Sequence, residues 1–553
     1  MRVGAVRRAG ARRLGQSGAS PWHEMAEGVT GGAGAAEARW KPSHNPWLIA
    51  AAVMAATFME ILDTSVANVA LPHIGGNLSA TPEEATWVLT SYLVSNAIVL
   101  PMTGWLGLRF GRKRLLMVCI TLFTLASVLC GIAPDLTFLI IARVLQGIGG
   151  GALVPISQAV LLESFPPEKR GVAMATFGMG VVVAPILGPT LGGWITDNYS
   201  WRWLFYINVP VGVFAVLMAQ AFVEDPPYIK HAKVGGTDFT GFGFLAVWLG
   251  SLQIILDKGQ QEDWFSSDWI RWFAIISVVC FLGFVVRELR TAHPIVNLSV
   301  LKNRNFAAGV IMMTVLAGVL YGTTAALPIF LQTIMGYSAL QSGLTLSPRG
   351  VGAFVMNSVV GHLVGRVRNR VLIAIGFVLL AVASFWLGNI NLQISMRNVI
   401  LPSVLNGIAI SFIFTPLTTA AMGYMRQDQM ANATGIYNLM RNLGGSLGIA
   451  LVSTIVVRRA QVHEALMVAH LTPYDPVYME RLAAATRALT PESGPVLANM
   501  QAQGLIYQTL HSQASLWAFV ENFRLFGLLC VLCLPLVFLF KRARRGPGGA
   551  AMH

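Results

Sequence analysis

The stretch PWLIAAAVMAATFMEILDTSVANVALP, residues 46–72, carries two acids, Glu60 and Asp63, in the middle of an otherwise apolar run. A helix needs about 20 apolar residues to cross a bilayer, and this run supplies them. A carboxylate at membrane depth costs roughly 2.5–3.5 kcal/mol on insertion scales unless it is paired, protonated or facing water. Acids placed in this way mark function, and the first function to consider is moving something across the membrane.

Outward from this stretch, the chain repeats the pattern. Of its 553 residues, 55% are hydrophobic and 12% charged; mean hydropathy is +0.62. Soluble domains carry about twice that share of charge. About fourteen segments can span a bilayer. They run over 47–70, 85–107, 114–133, 136–160, 171–196, 201–222, 240–257, 268–287, 306–334, 341–366, 370–389, 398–422, 433–457 and 515–540. The fold class read from this is an all-α integral membrane protein.

The net charge of +14 could suggest nucleic acid, but the bases gather in alternate loops, which is a topology signal. RFGRKR (109–114), EKR (168–170), YIKHAK (228–233), RELR and LKNR (287–304), GRVRNR (365–370) and the tail KRARR (541–545) are placed inside. Residues 72–85, with two acids and no Lys or Arg, and 257–268, with four acids against Lys258, are placed outside. Both termini are then cytoplasmic.

Residues 1–46 form a basic, Gly/Ala-rich tail with no apolar core, unlike a signal peptide; translation starting at Met25 is the alternative reading of its first 24 residues. Residues 541–553 form a second basic tail. The polar segment 458–514 is helix-compatible but interrupted by Pro473, Pro476, Pro491 and Pro495. It reads either as an amphipathic loop resting on the membrane or as a docking surface for an outside partner. All five cysteines lie in apolar runs, so neither a disulfide framework nor a metal site is expected. Trp201, Trp203, Tyr206, Trp264, Trp269 and Trp272 cluster at span ends, where interfacial anchors sit. GWLGLRFGRKRLL (104–116) is echoed by GHLVGRVRNRVLI (361–373), and duplicated halves are a recurrent plan in transporters.

Four motifs in order resemble the major facilitator superfamily, and within it the EmrB-like branch of 14-span drug:proton antiporters. LDTSVANVALP (62–72) is similar to the family's first-helix signature, with Asp63 at the position of its proton- or substrate-contacting acid and Glu60 one turn earlier. GWLGLRFGRKR (104–114) is similar to the loop signature after the second span, with Gly104, Gly111, Arg112 and Lys113 as the cytoplasmic gating turn. Leu108 stands where the family often has an acid, so the ion-pair role of that turn is not carried over. RVLQGIGGGALVP (143–155) supplies Arg143, a membrane-depth cation that must meet Asp63, Glu60 or water, followed by Gln146 and Gly147. GMGVVVAPILGPTLGGWI (178–195) resembles the exporters' fifth-span motif, with Gly180, Pro185, Gly188, Pro189, Gly192 and Gly193. Gly188 and Gly192 permit close helix approach, and the two prolines soften the helix.

The resemblance implies two six-helix pseudo-symmetric halves (47–222 and 306–540) with two extra helices in 223–305 between them. It implies proton-coupled export of hydrophobic, aromatic or cationic small molecules from an inner membrane, with no cofactor beyond the proton. A periplasmic adaptor protein and an outer-membrane channel are implied as partners. Arg349, Arg441 and Glu521 are further membrane-depth charges and candidate substrate or coupling residues. The alternatives are a proton-coupled importer, an exporter of a metabolite or siderophore, and a sensor that binds without flux. The sequence has no GxxxxGK[ST] for an ATP-driven pump. It also has no GxSxG, HExxH or paired-cysteine spacing placed to support catalysis, so an enzyme is not expected.

Overall fold

The structure, a computed structural model, describes residues 42–226, 229, 238–291, 294–423, 425–426 and 429–540. The basic tails before 42 and after 540, and most of the 228–233 loop, lie outside the described residues. Among those described there is no β-strand, only an isolated bridge between Val364 and Val367.

The apolar runs become helices because a bilayer offers the backbone no other hydrogen-bond partners. In the first part of the chain these are α1 (Pro46–Asn77), α2 (Trp87–Val99), α3 (Thr103–Phe110), α4 (Arg112–Gly131), α5 (Leu136–Gly150), α6 (Leu153–Ser164), α7 (Arg170–Asn198) and α8 (Asn208–Phe222). A hairpin of α9 (Phe239–Lys258) and α10 (Asp268–Arg290) follows. The remainder is α11 (Arg304–Ile329), α12 (Ala339–Leu346), α13 (Pro348–Leu363), α14 (Asn369–Leu387), α15 (Met396–Met422), α16 (Met430–Val468) and α17 (Pro476–Val537). Twelve helices among the described residues are long and apolar enough to cross a membrane. Of the other two expected spans, 171–196 lies within α7, whose 29 residues form one helix. The other, 341–366, is divided between α12 and α13 at Ser347, where Pro348 opens the second helix.

In the first group α1 packs on α7, α8 and α6, and α5 lies between α2 and α4. In the second, α11 packs on α16, α15 and α17, and α14 on α15 and α17. The groups meet through α7 against α13 and α15, and through α16 against α3 and α6. α9 touches both α2 and α16, so the extra hairpin bridges them.

The polar segment 458–514 is not a loop. α16 continues to Val468 and α17 starts at Pro476, making a helical hairpin that extends the two spans. At 1.5 Å per residue, α17 with its 62 residues is about three times the length of a single crossing. Pro491 and Pro495 sit within it, and the break is at Gly494, with φ 72°. Trp201 also departs from expectation. It is 2% exposed, edge-on to Phe205 and under the Arg202 guanidinium, and therefore a core residue. Trp203 and Trp272 are exposed as anchors should be.

Candidate substrate and ion-coupling site

Asp63 lies in the middle of α1, 2% exposed, and both of its oxygens are occupied. Arg143 Nη1 of α5 donates to Oδ2 at 2.7 Å, while Gln146 Nε2 and Asn208 Nδ2 donate to Oδ1 at 2.9 and 2.7 Å. Arg143 is itself fully buried. It also donates to Gln146 Oε1 at 2.7 Å and, through Nε, to the Val88 carbonyl at 3.0 Å. Its guanidinium lies 4.3 Å from the Tyr92 ring centroid. Ser127 Oγ of α4 accepts from Asn208 at 2.9 Å and donates to the Phe205 carbonyl at 2.8 Å. Residues from α1, α4, α5 and α8 thus close around one charge pair. Of the two partners the sequence offered Arg143, Asp63 is the one it meets.

Glu60, one turn earlier, is held differently. Its Oε1 accepts from Tyr92 Oη at 3.1 Å and from Asn96 Nδ2 at 3.2 Å, both on α2. It makes no ion pair among the described residues, and the cation whose charge reaches it is Arg441 of α16.

The 104–114 turn is built around an acid not singled out from the sequence, Asp225. Gly111 has φ +84°, and a Cβ there would lie 2.7 Å from Asp225 Oδ2. Glycine is needed on both counts. Asp225 Oδ1 accepts from the backbone N–H of Arg112 and Lys113 at 2.7 and 2.9 Å, satisfying the open N-terminus of α4. The Arg112 side chain forms a buried ion pair with Glu163 at the end of α6. Leu108 therefore does not leave this turn without a charge partner, as the sequence suggested; Glu163 and Asp225 supply it from elsewhere in the chain.

In the 178–195 motif, Gly188 and Gly192 lie against Ser65 and Val66 of α1. Pro189 has no N–H to give the Pro185 carbonyl, and Ser65 Oγ donates to that carbonyl instead at 3.1 Å. Gly180 faces Met54 with room to spare, and Gly193 is half-buried. The side chain of Pro189 lies outside the described residues.

Three candidates stand apart from Asp63. Arg349 is buried and donates to Thr324 Oγ1 at 2.9 Å and the Leu320 carbonyl at 3.4 Å. Arg441 is half-buried. Glu521 is at the base of the long hairpin, paired with Arg459 at 2.5 Å and His463 at 3.1 Å. It ties α17 to α16 and is not brought to the central site. No group of three or more potential metal ligands occurs among the described residues.

The two groups of helices seal against each other at the end that carries the basic loops. A Cβ on Gly104 would come 2.6 Å from Asn432 Cα, and one on Gly361 would come 2.6 Å from Ala175 Cβ. These glycines are the first residues of the two echoed stretches, and each packs against the opposite group. Deeper in, Asn438 Nδ2 of α16 donates to Gln158 Oε1 of α6 at 2.7 Å. Tyr92, Asn96, Gln158, Asn208, Asn432 and Asn438 were not picked out in the sequence. All but Asn432, which sits just before the 433–457 span, are polar residues inside apolar runs, and that is the signal that could have found them.

Two helical groups enclosing buried charges and sealed at one end define a polytopic membrane protein with the layout of a secondary transporter. The chain belongs to the Major Facilitator Superfamily, whose family model matches residues 53–449. It is similar to the Fatty acid resistance protein FarB of Neisseria gonorrhoeae, 37% identical over 498 residues (89% of this chain, 96% of that protein). The Multidrug export protein EmrB of Haemophilus influenzae is 40% identical over 434 residues (78% and 84%). Its namesake in Escherichia coli is 35% identical over 505 residues (91% and 97%). These relatives place the chain in the EmrB-like branch. Among solved structures, the human organic anion transporter MFSD10 (TETRAN) matches with TM-score 0.56 at 13% identity, covering 88% of this chain and 100% of that one. The proton:xylose symporter XylE matches with TM-score 0.55 at 15% identity, covering 90% and 95%. Both are likenesses of fold.

Proposed function

We propose that this chain is a proton-coupled efflux transporter that exports hydrophobic, aromatic or cationic small molecules by alternating access. The carrying observation is the pair of buried carboxylates on α1, set beyond a seal between two helical groups. A carboxylate in a low-dielectric site can bind and release protons, and rocking of the two groups would expose it to each side in turn. Relatives named for multidrug export and fatty acid resistance support export of lipophilic compounds. α7 and the α12–α13 pair complete fourteen spans, with the basic end cytoplasmic and both termini there, in an inner membrane. The α16–α17 hairpin then projects on the far side, where an adaptor protein and an outer channel would meet it.

Purified protein in liposomes with an imposed pH gradient tests this reading, with ethidium and dodecanoate as probes. The expected result is probe accumulation driven by the gradient, with matching proton movement. Binding without flux would identify a sensor, and flux indifferent to the gradient would remove proton coupling.

A further inference from the structure

Two carboxylates three residues apart on one helix are bound in opposite ways. Asp63 accepts from three donors at 2.7–2.9 Å, one of them a buried guanidinium. A proton added there must break an ion pair and leave Arg143 uncompensated inside the bundle, a costly state. Glu60 accepts only from two neutral groups, at 3.1 and 3.2 Å and both through Oε1, and Oε2 has no partner among the described residues.

Position also sets Glu60 relative to the seal. Ser157, next to Gln158, donates to the Val53 carbonyl at 3.1 Å, so the Gln158–Asn438 link lies level with Val53. Glu60 is seven residues further along α1, about 10 Å at 1.5 Å per residue. Arg441 is three residues beyond Asn438 on α16, about 4.5 Å by the same rise. Both therefore lie past the seal, on the side away from the basic loops. The charged and titratable groups that face Glu60 are Arg441, Tyr92 and Asp63. Of these, Arg441 alone comes from the other helical group, and it has no hydrogen bond or ion pair of its own among the described residues.

We infer that Glu60, not Asp63, is the carboxylate that takes up and gives back the proton, and that Arg441 of the opposite half is the charge that governs it. Asp63 and Arg143 are positioning residues that hold α1, α4, α5 and α8 together. Glu60 Oε2 binds a proton from water on the side away from the basic loops and returns it to water at the basic end once the seal has moved. One O–H bond forms and the same bond breaks. Because Glu60 and Arg441 belong to different halves, the movement that opens the seal also changes the distance between them. The mechanical cycle and the proton are coupled in that way. This inference rests on the proton-coupled reading above.

The test is an infrared pH titration of the lipid-reconstituted protein, following the carbonyl band of buried protonated carboxyl groups; it needs no substrate. The wild type should show a titrating band that disappears in Glu60→Gln, returns shifted in Glu60→Asp, and persists in Asp63→Asn/Arg143→Gln, which neutralises the cage as a pair. In Arg441→Gln the midpoint should be displaced from that of the wild type. A band that survives Glu60→Gln, or that is lost in the double variant, overturns the inference, and an unmoved midpoint in Arg441→Gln removes Arg441 from it. Circular dichroism establishes that each variant is folded. In the liposome assay Glu60→Gln should exchange probe across the membrane but fail to concentrate it against a gradient. If wild-type protein moves no probe, the transport reading fails while the infrared result stands.

Discussion

Asp63 shows how far one side chain can decide the fate of another. With Arg143 fully buried, removing its counter-charge leaves a cation in the interior, which costs about 3–5 kcal/mol. Asp63→Asn should therefore lower the thermal unfolding temperature of the detergent-purified protein clearly, and adding Arg143→Gln should recover part of the loss. At the membrane edge the same chemistry sets a pH dependence. The Arg287 guanidinium donates to Asp238 at 2.9 and 3.1 Å and holds that carboxyl below the usual carboxylate range, helped by Gly241 N–H and the Thr291 hydroxyl. A depressed carboxyl contributes stability above its unfolded value, about pH 4, and loses it as pH falls through the folded value. The stability difference between wild type and Asp238→Asn should thus be present at neutral pH and close below about pH 4. Differential scanning fluorimetry across pH would show it.

Elements meet where side chains are missing. Gly188 lies so close to Ser65 that any Cβ would meet its hydroxyl, whereas the nearest atom to a Cβ on Gly180 is 3.9 Å away. Overpacking a tight interface costs about 1–3 kcal/mol. Gly188→Leu should reduce folded yield and transport together, and Gly180→Ala should leave the folded yield close to wild type. The Ser65 hydroxyl matters for a second reason: it supplies the Pro185 carbonyl with the donor that Pro189 lacks. At Pro189, therefore, α1 repairs the backbone that the proline interrupts. Composition alone did not reveal this, since the repair comes from a residue 120 positions away.

For the whole molecule, the decisive geometry is the seal at the basic end. Gly104→Leu would place a side chain against the backbone of Asn432, and the two halves could no longer close there. Turnover should stop while substrate binding persists, read as a bound probe in equilibrium dialysis beside an inactive transport assay. The class of protein, the buried charges and the tight glycines were legible in the sequence. Apolar length, motif order and acids at membrane depth are local properties that a bilayer solvent forces into helices. What the chain alone left open was partnership. Arg143 could have met Glu60 or Asp63; Arg112 had no visible acid, yet finds Glu163; residues 458–514 read as a loop, yet continue two spans as one hairpin. Glu521 read as a candidate substrate or coupling charge, and its partners are Arg459 and His463 of the hairpin. Each answer depends on which helices lie side by side, and such contacts link residues far apart in the chain. Charge at a given depth is thus fixed by the sequence. Which charge is caged and which is free to exchange a proton is fixed only when the helices pack, because low-dielectric burial makes every neighbouring donor and counter-charge count.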